Sequence, residues 1–171
     1  MEGVMMNVSA RPTAVLSRGL RGALWSAQIA LCAVFAGTGI WKLTTPIPTL
    51  AAKFAWMGDV PPPFLRATGV IDLMGGLGVL FPTATRLAPG LTVLAALGCA
   101  LLQICAIVFH IARGEAANTP FNVILVALAA FVVWGRQRRD RVARDRASVA
   151  ERRVDDSREG GVVEAVHGES K

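Results

Sequence analysis

Seven residues of this sequence carry chemistry that their apolar surroundings make costly: Lys42, Arg66, Asp72, Gln103, His110, Arg113 and Asn122. Each stands in, or at the edge of, a long apolar run. A charged or strongly polar side chain there is expensive and marks a functional position by default. Asp72 needs a cationic partner, and Lys42 and Arg66 are the cations the pattern offers. His110 can accept and donate protons near neutral pH. Asp72 and His110 are therefore the expected catalytic pair, and Lys42, Arg66, Gln103, Arg113 and Asn122 the expected binding set. Facing an apolar cavity, such a cluster suits the carbonyl oxygens and protons of a quinone head group. It equally suits a small anion. A solute carrier with Asp72 and His110 as a proton relay is a further reading, which so few helices would fulfil only as an oligomer.

Each of these residues also has a plainer use. Lys42, Arg66 and Arg113 lie near run ends, from which long basic side chains reach the polar interface. An Asp72–Arg66 pair would be only structural, and His110 would bond a carbonyl. Gln28 and Gln103 suit interhelical hydrogen bonds. The glycines of Gly75–Gly78 sit in apolar surroundings without a phosphate-loop context, so they read as a packing face. Cys32, Cys99 and Cys105 all fall in apolar runs and read as free, buried, small hydrophobes. Their spacing supports no metal site and no disulfide.

Four runs are long enough to carry these residues across a bilayer, which takes about 20 mostly apolar residues. They cover about 22–43, 64–81, 89–112 and 119–135. Prolines punctuate them: Pro46 and Pro48 follow the first, Pro61–Pro63 precede the second, and Pro82 closes it. Pro89 and Pro120 open the third and fourth, where a missing N–H costs nothing. The first run is too long for a signal-peptide core and continues through Ile40 and Trp41, so it reads as an uncleaved span. The fold class is an all-α integral membrane bundle of four up-and-down helices.

Across the 171 residues, 53% are hydrophobic and the formal net charge is +6. The mean hydropathy is +0.49 and the pI about 10.2. Much of the basic excess follows the last apolar run, as Arg136, Arg138, Arg139, Arg141, Arg144 and Arg146. That is the flank of a membrane span rather than a nucleic-acid surface. With Arg11, Arg18, Arg21 and Arg86 on the same side, both termini are expected in the cytoplasm of a multi-pass protein of the plasma (inner) membrane. Residues 1–21 form a basic arm and 137–171 a basic tail, helical for a few turns and disordered beyond Ser157. Between the first two spans, Ile47, Leu50, Phe54 and Met57 recur at helical spacing. This predicts a short interfacial helix anchored by Trp56.

This topology gathers the polar residues. Lys42, Arg66, Asp72, His110 and Asn122 all fall in the outer half of the bundle, with Asp72 about 10 Å deeper than Arg66. Helical phase agrees. Gln28, Cys32, Phe35, Gly39 and Lys42 share a face of the first span, and Gln103, Ala106, His110 and Arg113 a face of the third. On the second, Gly69, Asp72, Gly75 and Gly76 share a face whose small residues admit a close neighbour.

These elements, in this order, resemble the DoxX-like family of small four-helix membrane proteins. The first span ends Gly39-Ile40-Trp41-Lys42, and the outer segment holds Phe54-Ala55-Trp56. The second span carries Arg66, Gly69, Asp72, Gly75, Gly78 and Pro82 in the family's spacing. The third ends with His110, Arg113 and Gly114, and the fourth opens with Asn122. The resemblance covers Leu24 to Arg136 and leaves out the tail. The family commonly has glutamate where this chain has Asp72, and a partner spaced for the longer side chain would be met through water. The resemblance implies a four-helix bundle. Some relatives are subunits of quinone-reducing thiosulfate oxidoreductases, others resemble membrane anchors of redox-defence complexes, and distant ones act in receptor assembly. It therefore implies a quinone-interacting subunit of a redox complex, with quinone as ligand and a redox protein or a second copy as partner. The alternative is a non-enzymatic scaffold or assembly factor.

Overall fold

The computed structural model describes residues 11–85 and 89–168, with side chains described for 18–85, 90–144 and 147–152. Arg86, one of the charges behind the expected orientation, lies outside the described residues. The described chain is helical: α1 (Arg11–Thr44), α2 (Ile47–Lys53), α3 (Trp56–Asp59), α4 (Pro62–Thr85), α5 (Pro89–Ala112) and α6 (Thr119–Gly168), with a 3-10 turn at Ala116–Asn118 before α6. α1, α4, α5 and α6 are long and apolar enough to cross a membrane and pack up and down as a bundle. This is a multi-pass membrane protein.

α1 stops where Thr45 precedes Pro46, since the residue before a proline disfavours helical backbone. α4 begins on Pro62 and Pro63, which need no N–H partner in a first turn. It has 24 residues, against the 18 expected, because Pro82 does not close it. A proline so near a helix end forfeits one hydrogen bond, to the carbonyl four residues back, and the helix runs on to Thr85. At about 1.5 Å per residue α4 is some 36 Å long, enough to cross a bilayer core.

Lipid tails are as apolar as leucine, so burial cannot drive these helices together; close packing and hydrogen bonds must. Small residues supply the packing. A Cβ on Gly39 would lie 2.7 Å from the Gly69 carbonyl, and one on Gly76 2.7 Å from the Ala36 nitrogen. α1 and α4 therefore meet backbone to backbone. On the other side of α4, Gly75 and Gly78 face Cys99 and Ala95 of α5. The predicted glycine face is thus two faces, one toward each neighbour. Phe35, Leu31, Val79, Ala96, Leu125 and Ala129 bring all four helices into one core. Around it stands a belt of exposed apolar side chains such as Met74, Leu94 and Val108, a surface that a soluble monomer would not carry and that suits lipid.

The segment between α1 and α4 differs from the expected single interfacial helix. Phe54 adopts extended backbone (φ −136°, ψ 102°) and splits it in two. The break folds α3 back, so that Leu50, Met57 and Leu65 form a buried cluster with Trp41, Ile47, Trp56 and Val60 packed on it. Trp56, expected as an interfacial anchor, is half-buried against this cluster. The chain divides after Gly135 into two compact units. The second is helical as far as Gly168, including the stretch beyond Ser157 that reads as disordered in sequence.

Candidate functional site

The sequence places one polar cluster at the bundle end that carries α2 and α3, and the close approach of α1 and α4 sets its first half. Asp72 sits on α4 between Gly69 and Gly76, the two glycines that admit α1, and so faces α1 rather than lipid. Lys42, in the last turn of α1, meets it directly: Nζ lies 2.8 Å from Asp72 Oδ2, with both side chains largely buried. The shorter carboxylate needs no bridging water, contrary to the expectation for aspartate in place of glutamate, because the glycines bring the backbones close enough. Lys42 Nζ also lies 5.7 Å from the centre of the Trp56 ring, within cation–π range.

The second half is built at the C-terminus of α5. Gly114 has φ +74°, a left-handed conformation that glycine adopts freely. The Gly114 N–H donates to the Ile111 carbonyl at 3.0 Å and the Glu115 N–H to the His110 carbonyl at 2.8 Å. This Schellman turn satisfies helix-end carbonyls and throws Glu115 back over the last turn. Glu115 Oε2 then lies 2.8 Å from His110 Nδ1, and Arg113 Nε donates to Glu115 Oε1 at 2.9 Å. Arg113 also donates to Asp59 of α3 at 2.6 Å. The hydrogen bond from His110, and then that from Arg113, holds the Glu115 carboxyl below the usual carboxylate range. The bonds to Glu115 and then Asp59 hold the Arg113 guanidinium above its ordinary value. The ring of Trp56 stands edge-on to Phe109 and His110, with centroids 5.7 and 6.0 Å away, and so touches both halves of the cluster.

Between the halves lies a cavity of about 780 Å³. Its polar wall is Lys42, Asp72, Gln103, His110, Asn118 and Asn122; rings of Phe35, Trp41, Trp56, Phe64, Phe109 and Phe121 form much of the rest. Phe64 and Phe121 are about half exposed, so the wall reaches the surface of the bundle on the lipid-facing side. Among the described residues, the side-chain amides of Gln103, Asn118 and Asn122 have no hydrogen-bond partner, and neither have Asp72 Oδ1 and His110 Nε2. These groups offer the cavity both donors and acceptors.

Five of the seven residues singled out in the sequence line this cavity. Arg66 and Arg113 do not. Arg66 donates through both terminal nitrogens to carbonyls at the end of α1, those of Lys42 and of Thr45, the latter at 3.0 Å. It caps α1 and leaves Asp72 to Lys42. Arg113 ties α3 to the turn after α5. Cys105, read as buried, is exposed and lines the cavity. Sequence reasoning chose none of Glu115, Asp59 and Asn118 as a site residue. An acid directly after Arg113-Gly114, where a helix must end in a left-handed turn, was the available signal for Glu115. Among the described residues no group of three or more His, Cys, Asp or Glu side chains is placed to hold a metal ion.

Residues 26–132, well over half of the chain, match the model of the DoxX-like family. No curated protein and no solved structure matches the chain.

Proposed function

We propose that this protein, which belongs to the DoxX-like family, binds a membrane-soluble quinone-type ring between its spans and serves as the quinone-interacting membrane subunit of a redox complex. The observation that carries the reading is a cavity of aromatic walls whose polar side chains have hydrogen-bonding atoms to spare. Ligand pockets of this size combine a mostly apolar lining with a few convergent polar groups. An isoprenoid ring compound fits both: its ring stacks on Trp56 and Phe109, and its oxygens meet Lys42, Gln103 or Asn122. The exposed Phe64 and Phe121 give it a way in from lipid. In this reading Asp72 and His110 are the proton-handling groups, the first held by Lys42 and the second by Glu115.

The test is purification with native lipids, followed by solvent extraction and identification of bound quinone, on wild type and Asp72→Asn side by side. Wild type should retain quinone near one per chain, and the variant, with Lys42 released, at most about a tenth of that. The same preparation reads out a stoichiometric redox partner. A wild-type bundle that is folded yet carries no quinone defeats the reading.

A further inference from the structure

We infer that the cavity selects the reduced, hydroxyl-bearing form of its ring, the hydroquinone, over the quinone. This rests on the quinone reading above and deepens it. Besides the Asp72 carboxylate, which only accepts, the cavity has two polar groups whose hydrogen-bonding roles are fixed, while the amides of Gln103, Asn118 and Asn122 can present either end.

Lys42 is the first. An ammonium only donates, and one of its hydrogens goes to Asp72 at 2.8 Å. It therefore asks the ligand for an acceptor. His110 is the second. Its Nδ1 is 2.8 Å from Glu115 Oε2, a carboxylate that already accepts from Arg113 Nε at 2.9 Å. A carboxylate has nothing to donate, so Nδ1 carries the hydrogen. In the neutral imidazole Nε2 then bears the lone pair, and among the described residues nothing bonds to it. In that neutral form His110 asks the ligand for a donor. A quinone has only acceptors and would set a carbonyl lone pair against that of Nε2. A hydroquinone meets both demands, since each hydroxyl donates and accepts. Sites built around a substrate hydroxyl reject the analogue that lacks it, because a buried polar group is left unpaired.

Glu115 thus acts as a positioning residue: it touches no ligand and sets the tautomer of the residue that does. Gly114, at φ +74°, sets Glu115 in turn.

The experiment uses the full chain in lipid nanodiscs and measures retention of a decyl hydroquinone, kept reduced under argon, and of the matching decyl quinone. Empty discs are the blank. Wild type should hold the hydroquinone at least about tenfold more tightly. In Glu115→Ala the imidazole takes either tautomer, so the preference should fall to within about threefold while quinone binding is kept or improved. His110→Phe keeps a ring against Trp56 and should level the two ligands in the same way. A general loss of packing would weaken both ligands together, which separates it from this outcome. Equal binding of the two forms in wild type, or a preference that survives both variants, overturns the inference and leaves the quinone reading standing. Retention of neither form overturns both.

Discussion

The bundle has a polar cluster at each end, and the two are built in opposite ways. At one end Gln28 is fully buried on α1 and donates to the Val79 carbonyl of α4 at 2.7 Å and to Thr83 Oγ1 at 3.2 Å. Thr83 in turn shares a hydrogen bond of 2.9 Å with the buried Thr92 of α5. Three helices are stitched there, beside Pro82, and the amide is spent on protein. At the other end Lys42, Asp72 and His110 are paired, but each pairing leaves an atom over, and Gln103, Asn118 and Asn122 keep theirs whole. On the proposed reading, the difference separates glue from site. A polar residue inside a membrane bundle stabilises it when its partners are protein, and it is a candidate for recognition when they are not.

The comparison can be broken most forcefully at the ion pair. Lys42→Met leaves the buried Asp72 carboxylate without its partner, a change that costs about 3–5 kcal/mol for a buried pair. Adding Asp72→Asn should recover most of that loss in thermal or denaturant unfolding, yet ligand retention should stay lost. If the double variant binds as wild type does, the pair is glue after all. Filling the cavity is the next largest effect. Ala106→Phe on the cavity wall should lower ligand retention at least about tenfold, about 1.4 kcal/mol, with unfolding little changed. An unfolded variant would mean that the space is core rather than site. At the opposite end the expected signs reverse. Gln28→Leu should cost about 1 kcal/mol of stability, the usual scale of an interhelical hydrogen bond, and leave retention untouched.

The smallest effect belongs to the Arg113–Glu115 clasp and is read by pH. Glu115 titrates lower in the folded chain than in the unfolded one, so the unfolded state binds more protons in the acid range. Its contribution is fully present above the ordinary carboxylate pKa, near pH 4.3, and is lost as pH falls through the lower folded value. The stability gap between wild type and Glu115→Gln should therefore be open at pH 7 and narrow as pH falls below the ordinary carboxylate range. A gap that does not narrow with falling pH would assign the effect to packing.

Much of this arrangement was legible in the residues. Apolar runs with prolines at their ends mark four spans, and the 3-4 spacing of Gly39, Lys42, Gln103 and His110 points them at one another. Periodicity names a face but not a partner, and that is where reading stopped. It offered Lys42 and Arg66 equally to Asp72, whereas the close approach of α1 and α4 lets Arg66 reach the carbonyls ending α1. It showed α2 and α3 as one amphipathic stretch, because the extended backbone at Phe54 has no mark in composition. Glu115 was missed because its role depends on a turn of the backbone and not on a repeat.

Lys42 is held to α4 at both its ends: its side chain by Asp72 and its carbonyl by Arg66. Those two anchors lie six residues apart on α4, more than one turn. The final turn of α1 is in effect clamped along a short lever arm. A ligand that draws the ammonium away from Asp72 does not simply swing a loose side chain. It pulls on a residue whose backbone is pinned, so the load passes to α4 as a torque.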